Sequence, residues 1–193
     1  STTGRLLQRV PGIKLSSQYA SWAQPPWNLN ISVFDDFVGV RDAPGDRAVR
    51  SLVVTLGTIE GYGFRRLVER LLEVIPADVD VLWQIGDTDV TDLSLIAHEV
   101  LPQHQLHAAM AEADAVVAHA GIGSALGALN CGRRPVLVPR RSQHGEHVDD
   151  HQMQIAGELD GRDLAISRQV DHLSWEDIQE SARWRVDRRG QAS

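Results

Sequence analysis

The sequence predicts an α/β domain built on a doubly wound parallel sheet. Three observations carry the prediction. From residue 51 onward, short apolar runs of strand length alternate with helical repeats of roughly ten to twelve residues. The apolar runs are continuous, as suits strands covered by helices on both faces. Glycine and proline cluster in the connections between these segments.

Taken in order, Ser51–Leu56 (SLVVTL) is the first strand and ends at Gly57-Thr58. Phe64, Leu67, Val68, Leu71, Leu72 and Ile75 recur at helical spacing, so 64–75 is a helix, stopped by Pro76. Val79–Ile85 is the next strand, and Leu95–Leu101 a third before Pro102. An alanine-rich helix over 103–113 leads to a fourth strand, Ala115–Ala118. Ile122, Ala125, Leu126 and Leu129 form the core stripe of the following helix, which Gly132 caps and Pro135 follows. Val136–Val138 is a fifth strand. A helix near 147–158, a last strand at 164–166 and a last helix at 174–185 complete the series.

Residues 1–48 read differently. Pro11-Gly12, Pro25-Pro26 and Ala43-Pro44-Gly45-Asp46 interrupt the pattern, and Trp22 and Trp27 flank the double proline. Such aromatics need a surface to bury against, either on this chain or on a partner domain. The opening Ser-Thr-Thr-Gly-Arg-Leu-Leu lacks Met and reads as an entry into the middle of something longer. The expected division is therefore 1–48 as a linker or remnant and 49–193 as the folded domain.

The 193 residues carry a net charge of −7, which argues against a nucleic-acid binder, because no broad basic field is present to release counterions. The Arg183–Arg189 cluster reads as a solvated helix end, where cations suit the dipole. A single cysteine, Cys131, forbids an intrachain disulfide and fits a reducing cytoplasm, with the thiol packed at a helix end. No run approaches the ~20 apolar residues needed to span a bilayer, and no signal peptide is recognisable.

The chemistry is expected beyond the carboxyl ends of the strands, where such sheets bind ligands. Gly57-Thr58, Pro102-Gln103 and His119–Ser124 all fall there. In HAGIGS, Gly121 and Gly123 lack Cβ atoms where a ligand approaches the backbone, Ser124 brings a hydroxyl into the first helical turn, and His119 stands at the strand end. Unpaired amide groups and the positive end of a helix dipole make that turn an anion cradle. It is not the G-x-G-x-x-G fingerprint, since Leu126 fills the third position.

The segment His144–Gln152 admits three readings. His144, His147 and His151 could ligate zinc. Asp149 and Asp150 suit a polar helix start, and the whole segment could recognise a sugar. Asp35-Asp36 resembles a metal-binding pair but lies in the irregular segment.

The segments TLGT (55–58), LPQHQL (101–106), HAGIGSAL (119–126), CGRRPVLVP (131–139) and GEHVDDHQ (145–152) together resemble the donor-binding C-terminal domain of GT-B glycosyltransferases, a Rossmann-like half-molecule. The resemblance is to family 28, which includes the enzyme that completes lipid II, and covers roughly residues 50–165. It implies that this chain binds a UDP-sugar without a metal or other cofactor. Gly57, Thr58, His119, Gly121, Gly123 and Ser124 would hold the diphosphate, with His119 and Ser124 stabilising the leaving group. The backbone beside Val100 and Leu101 would meet the uracil and Gln103 the base or ribose. His151 and Gln152, helped by Glu146 and Asp150, would meet the sugar.

The resemblance further implies a missing N-terminal domain or separate subunit for the acceptor and the catalytic base, a lipid-linked acceptor in envelope or polysaccharide synthesis, and a cytoplasmic protein at the inner face of a membrane. Two departures stand out. Gly127 replaces a glutamate that binds ribose in related enzymes, and Val100 stands where the plant relatives have Trp. Competing readings are a UDP-sugar 2-epimerase on the same fold and a non-catalytic nucleotide-binding module.

Overall fold

A computed structural model describes residues 15–17, 25, 27–29, 32–42 and 48–190. The chain divides into two compact units, Ser1–Asp36 and Phe37–Ser193. In the first, β1 (Leu15–Ser17) pairs in parallel with β2 (Trp27–Leu29). Asp35 there makes a turn, its carboxylate accepting the Ser32 N–H at 2.9 Å and its own N–H donating to the Ser32 carbonyl at 3.0 Å. Trp22 lies outside the described residues.

The second unit begins earlier than residue 49, the start expected from the sequence, because Phe37–Arg41 (β3) pairs antiparallel with Trp184–Arg188 (β10). The C-terminal arginine cluster is therefore largely strand, not helix. The last helix stops at Ala182, and Val186 alone of the cluster is buried, between the exposed Arg185 and Arg188. Arg134 stacks on the Trp184 ring at 4.4 Å, and Arg188 lies 5.4 Å from the Phe37 ring, so these cations are docked on aromatic faces.

The main sheet contains β4 (Ser51–Thr55), β5 (Asp80–Gln84), β6 (Ala97–His98), β7 (Ala115–His119), β8 (Val136–Val138) and β9 (Ile166–Ser167). All neighbours are parallel and the spatial order is β6-β5-β4-β7-β8-β9. The helices are α1 (Arg65–Val74), α2 (Gln103–Glu112), α3 (Ile122–Asn130), α4 (His151–Asp160) and α5 (Trp175–Ala182).

Side chains of the central strands alternate between two cores, as the pleat requires. Leu52 and Val54 of β4, with Ala115 and Val117 of β7, join Leu67, Val68 and Leu71 of α1 and Ile178 of α5 on one face. Val53 and Val116 point the other way, to Met110 of α2 and Ala128 of α3. Each such fully buried aliphatic side chain contributes about 1.5–3 kcal/mol.

Two further boundaries differ from expectation. The strand predicted over 95–101 shrinks to an edge pair at Ala97–His98, with Ile96 90% exposed. The helix predicted from 147 starts at His151, because residues 141–150 form a hydrogen-bonded loop turned by Gly145 in the left-handed region. At the end of α3, Gly132 at φ 73° lets the Arg133 N–H reach back to the Ala128 carbonyl at 3.0 Å, a helix stop that favours glycine. Ser174 and Asp177 form a reciprocal capping box on α5.

Candidate functional site

The chain runs outward from β4 through β5 to β6, then crosses back to continue with β7 on the other side of β4. The connections after β4 and β7 therefore leave in opposite directions and open a crevice at the carboxyl edge, the topological switch point of such a sheet. A cavity of about 580 Å³ lies there, within the usual size of a small-molecule site. Its walls include Gly57, Thr58 and Ile59 after β4, Gln84 at the end of β5, and Val100 and Leu101 before α2. Gln103, Leu106, His107 and Met110 of α2 contribute, as do His119 to Ser124 apart from Ala120 and Ile122, and Gly127 of α3. His147 and Gln152 complete the wall.

Nine residues expected from the sequence meet in this cavity: Gly57, Thr58, Leu101, Gln103, His119, Gly121, Gly123, Ser124 and Gln152. Glu146, Asp150 and His151 do not line it. The Glu146 carboxylate is buried and accepts from Arg66 Nε at 2.8 Å and from the Arg141 N–H at 2.9 Å. Asp150 accepts the Ser142 N–H at 3.0 Å, a bond that heads the causes lowering its pKa. The exposed His151 ring pairs with Gln154 through Nδ1 at 3.0 Å. These three residues shape the 141–150 loop and the start of α4, from which His147 and Gln152 line the cavity instead.

The two glycines flanking His119 have a role other than approach to a ligand. A Cβ on Gly57 would lie 2.7 Å from His119 Cε1, and one on Gly121 would overlap Nε2. The imidazole fills both spaces, and Gly57 sits at φ 81°, where a side chain is strained. Gly123, by contrast, faces open space. The open part of this turn is thus the α3 start at Gly123 and Ser124, with His119 as its wall. His119 Nδ1 is 3.3 Å from Ser124 Oγ.

Burial, followed by the charge of Arg140, lowers the His119 pKa to about 4, while the Thr55 backbone opposes and His147 adds to the depression. His119 is therefore neutral at pH 7 and acts as a hydrogen-bonding group. The unfolded chain binds that proton near the ordinary value of about 6.5. Between pH 6.5 and about 4 the unfolded state holds more protons at this residue, so stability falls as pH is lowered through that window. The contribution is at most about 3 kcal/mol. Urea unfolding at pH 7 and pH 4.5 is expected to show a smaller loss for His119→Gln than for the unchanged chain; equal losses would refute the assignment.

Sequence reasoning missed Arg140, Gln84 and His107 as parts of the site, and it singled out His147 only within the possible zinc set or the sugar-recognising segment. Arg140 is fully buried at the end of β8. It donates to the carbonyls of Leu56 and Tyr62, to Gly63 at 3.4 Å and to Glu146 at 3.0 Å. Because β4 and β8 are the two neighbours of β7, this side chain ties together the loops on both sides of His119. Burial lowers its pKa to about 10, so it stays cationic at neutral pH. Its N–H donates to Gln152 Oε1 at 3.1 Å, which leaves the Gln152 NH2 as a donor for a ligand.

Gln84 bridges Thr55 Oγ1 at 2.9 Å and the Leu101 N–H at 3.0 Å. The Leu101 amide is thus held by the protein and is not available to a base. Both Gln84 and Arg140 are polar residues at the carboxyl end of an apolar strand, the one sequence signal that could have found them.

Among the described residues no group of three His, Cys, Asp or Glu side chains could hold a metal ion.

No curated protein matches the chain. Among solved structures, the glycotransferase of kitacinnamycin matches at TM-score 0.52 and 23% identity over 73% of this chain and 35% of that one. The glycosyltransferase SnogD from Streptomyces nogalater matches at 0.54 and 22%, over 72% and 36%. CalG4, the calicheamicin glycosyltransferase, matches at 0.55 and 21%, over 69% and 35%. At these identities the likeness is one of fold, and the chain spans about a third of each of these proteins. Residues 51–175, more than half of the chain, match the glycosyltransferase family 28 C-terminal domain, and the chain belongs to that family.

Proposed function

We propose that this chain is the donor-binding part of a glycosyltransferase that moves a hexosyl group from a UDP-sugar to an acceptor held by a second domain or subunit. The observation that supports this most is the cavity in which the open first turn of α3, at Gly123 and Ser124, faces Thr58 across a neutral His119. When the bond from the anomeric carbon to the diphosphate breaks, negative charge gathers on the diphosphate. The unpaired amides of α3 and Ser124 Oγ face that charge with the His119 imidazole beside them, and the buried Arg140 cation adds positive potential behind them. The nucleoside extends along α2 towards Gln103, and the hexose towards Gln152 and His147.

Ile59 and Val100 on the cavity wall, and Ile122 at the start of α3, are exposed apolar groups. They support a reading in which a second domain covers the mouth and supplies the acceptor. Among the described residues the cavity wall carries no carboxylate, and on this reading the base for the acceptor hydroxyl comes from that second half. The same observation favours the alternative of a nucleotide-binding module without transfer activity. A lipid-linked acceptor of envelope or polysaccharide synthesis, and work in the cytoplasm at the inner face of a membrane, rest on the family resemblance.

Calorimetric titration is expected to show UDP binding to this chain. His119→Ala and Ser124→Ala should each weaken UDP about tenfold, the cost of one good hydrogen bond, and leave uridine unchanged. Absence of heat with every nucleoside diphosphate would overturn the proposal. Equal losses for UDP and uridine would move both residues away from the phosphates.

A further inference from the structure

On the α2 side of the cavity, Gln103, Leu106, His107 and Met110 recur at helical spacing and form one face. Opposite them stands Gly127 of α3, buried and without a side chain. A Cβ on Gly127 would lie 3.2 Å from His107 Nε2 and 3.9 Å from Met110 Sδ. The His107 imidazole therefore occupies the notch that the glycine leaves open. Among the described residues its ring makes no hydrogen bond, whereas Gln84 on the same wall is engaged at both ends of its amide.

Gly127 shares a helix face with Gly123 and Ser124 and lies about 5 Å further along the axis, at roughly 1.5 Å per residue. A diphosphate seated at the start of α3 places the next group of the nucleotide, its pentose, against this notch. We propose that His107 is a ligand of the donor's ribose hydroxyls, an inference that rests on the donor-site reading above. A vicinal diol offers donors and acceptors together, and a neutral imidazole offers one of each. Among the described residues the cavity wall holds no carboxylate, and His107, on the same face as Gln103, reads the pentose and sets the preference for a ribonucleotide donor.

Titration of the full chain with UDP and with 2′,3′-dideoxy-UDP tests this. The unchanged chain should prefer UDP by about tenfold. His107→Ala should abolish that preference by weakening UDP alone, and His107→Gln, which keeps a donor and an acceptor, should restore part of it. A preference that persists in His107→Ala, or an equal loss for both ligands, overturns the inference. If the unchanged chain binds both nucleotides equally well, the donor site stands and the role of His107 falls. If it binds neither, the donor-site reading itself fails and takes this inference with it.

Discussion

Replacing Arg140 by leucine is expected to lower the free energy of unfolding by about 2–4 kcal/mol and to weaken nucleotide binding with it. Four carbonyls, of Leu56, Tyr62, Gly63 and Glu146, lose a charged donor at once. A buried acceptor left unsatisfied costs about 1–3 kcal/mol. Removing the cation also relieves its own burial, worth about 3 kcal/mol on the basis of a pKa lowered to about 10. The carbonyl losses exceed that relief, so the net change is destabilising. Swapping a buried ion pair for apolar groups can be neutral when both partners go; here the backbone partners stay. The loops after β4 and β8 would separate, and His119 would lose its backing. Urea unfolding measures the effect, and an unchanged midpoint would show that these carbonyls find other partners.

Placing a leucine at Gly123 is expected to do the reverse, leaving the fold intact while strongly weakening diphosphate binding. Gly123 is in the first turn of α3, has open space where a Cβ would go, and lines the cavity. Glycine costs about 1 kcal/mol relative to better helix formers, so the substitution should hold or raise stability. The isobutyl group would occupy the space assigned to the diphosphate and weaken UDP on the order of a hundredfold, about 2.7 kcal/mol. Thermal unfolding with titration separates the two effects. Unimpaired UDP binding in a stable Gly123→Leu variant would show that the diphosphate does not sit at this helix end.

The doubly wound sheet was legible because its signals are local. SLVVTL, AVVA and VLV are continuous apolar runs between breakers, and the helix stripe from Leu67 to Leu71 repeats every three to four residues. The crevice followed from the fold rule once Gly57-Thr58 and His119–Ser124 were seen to end strands. The signals failed where partners are distant in sequence. Val186 looks like the tail of a helix until β3, more than 140 residues earlier, pairs with it. Glu146 and Asp150 look like sugar ligands until Arg66 and the Arg141 and Ser142 amides are seen to hold them.

Chain order and side-chain patterning alone determined the fold class, the rim on which a ligand would bind, and the helix start that would meet an anion. Each depends on neighbours within a turn or a strand. Folding in three dimensions decided which polar groups on that rim are still unspent. Gly57 and Gly121 make room for an imidazole, Gly127 makes room for His107, and Arg140 is spent on backbone carbonyls. A hydrogen bond or a close packing contact is settled by distance in space, and residues brought together across a sheet carry no mark of it in their local sequence.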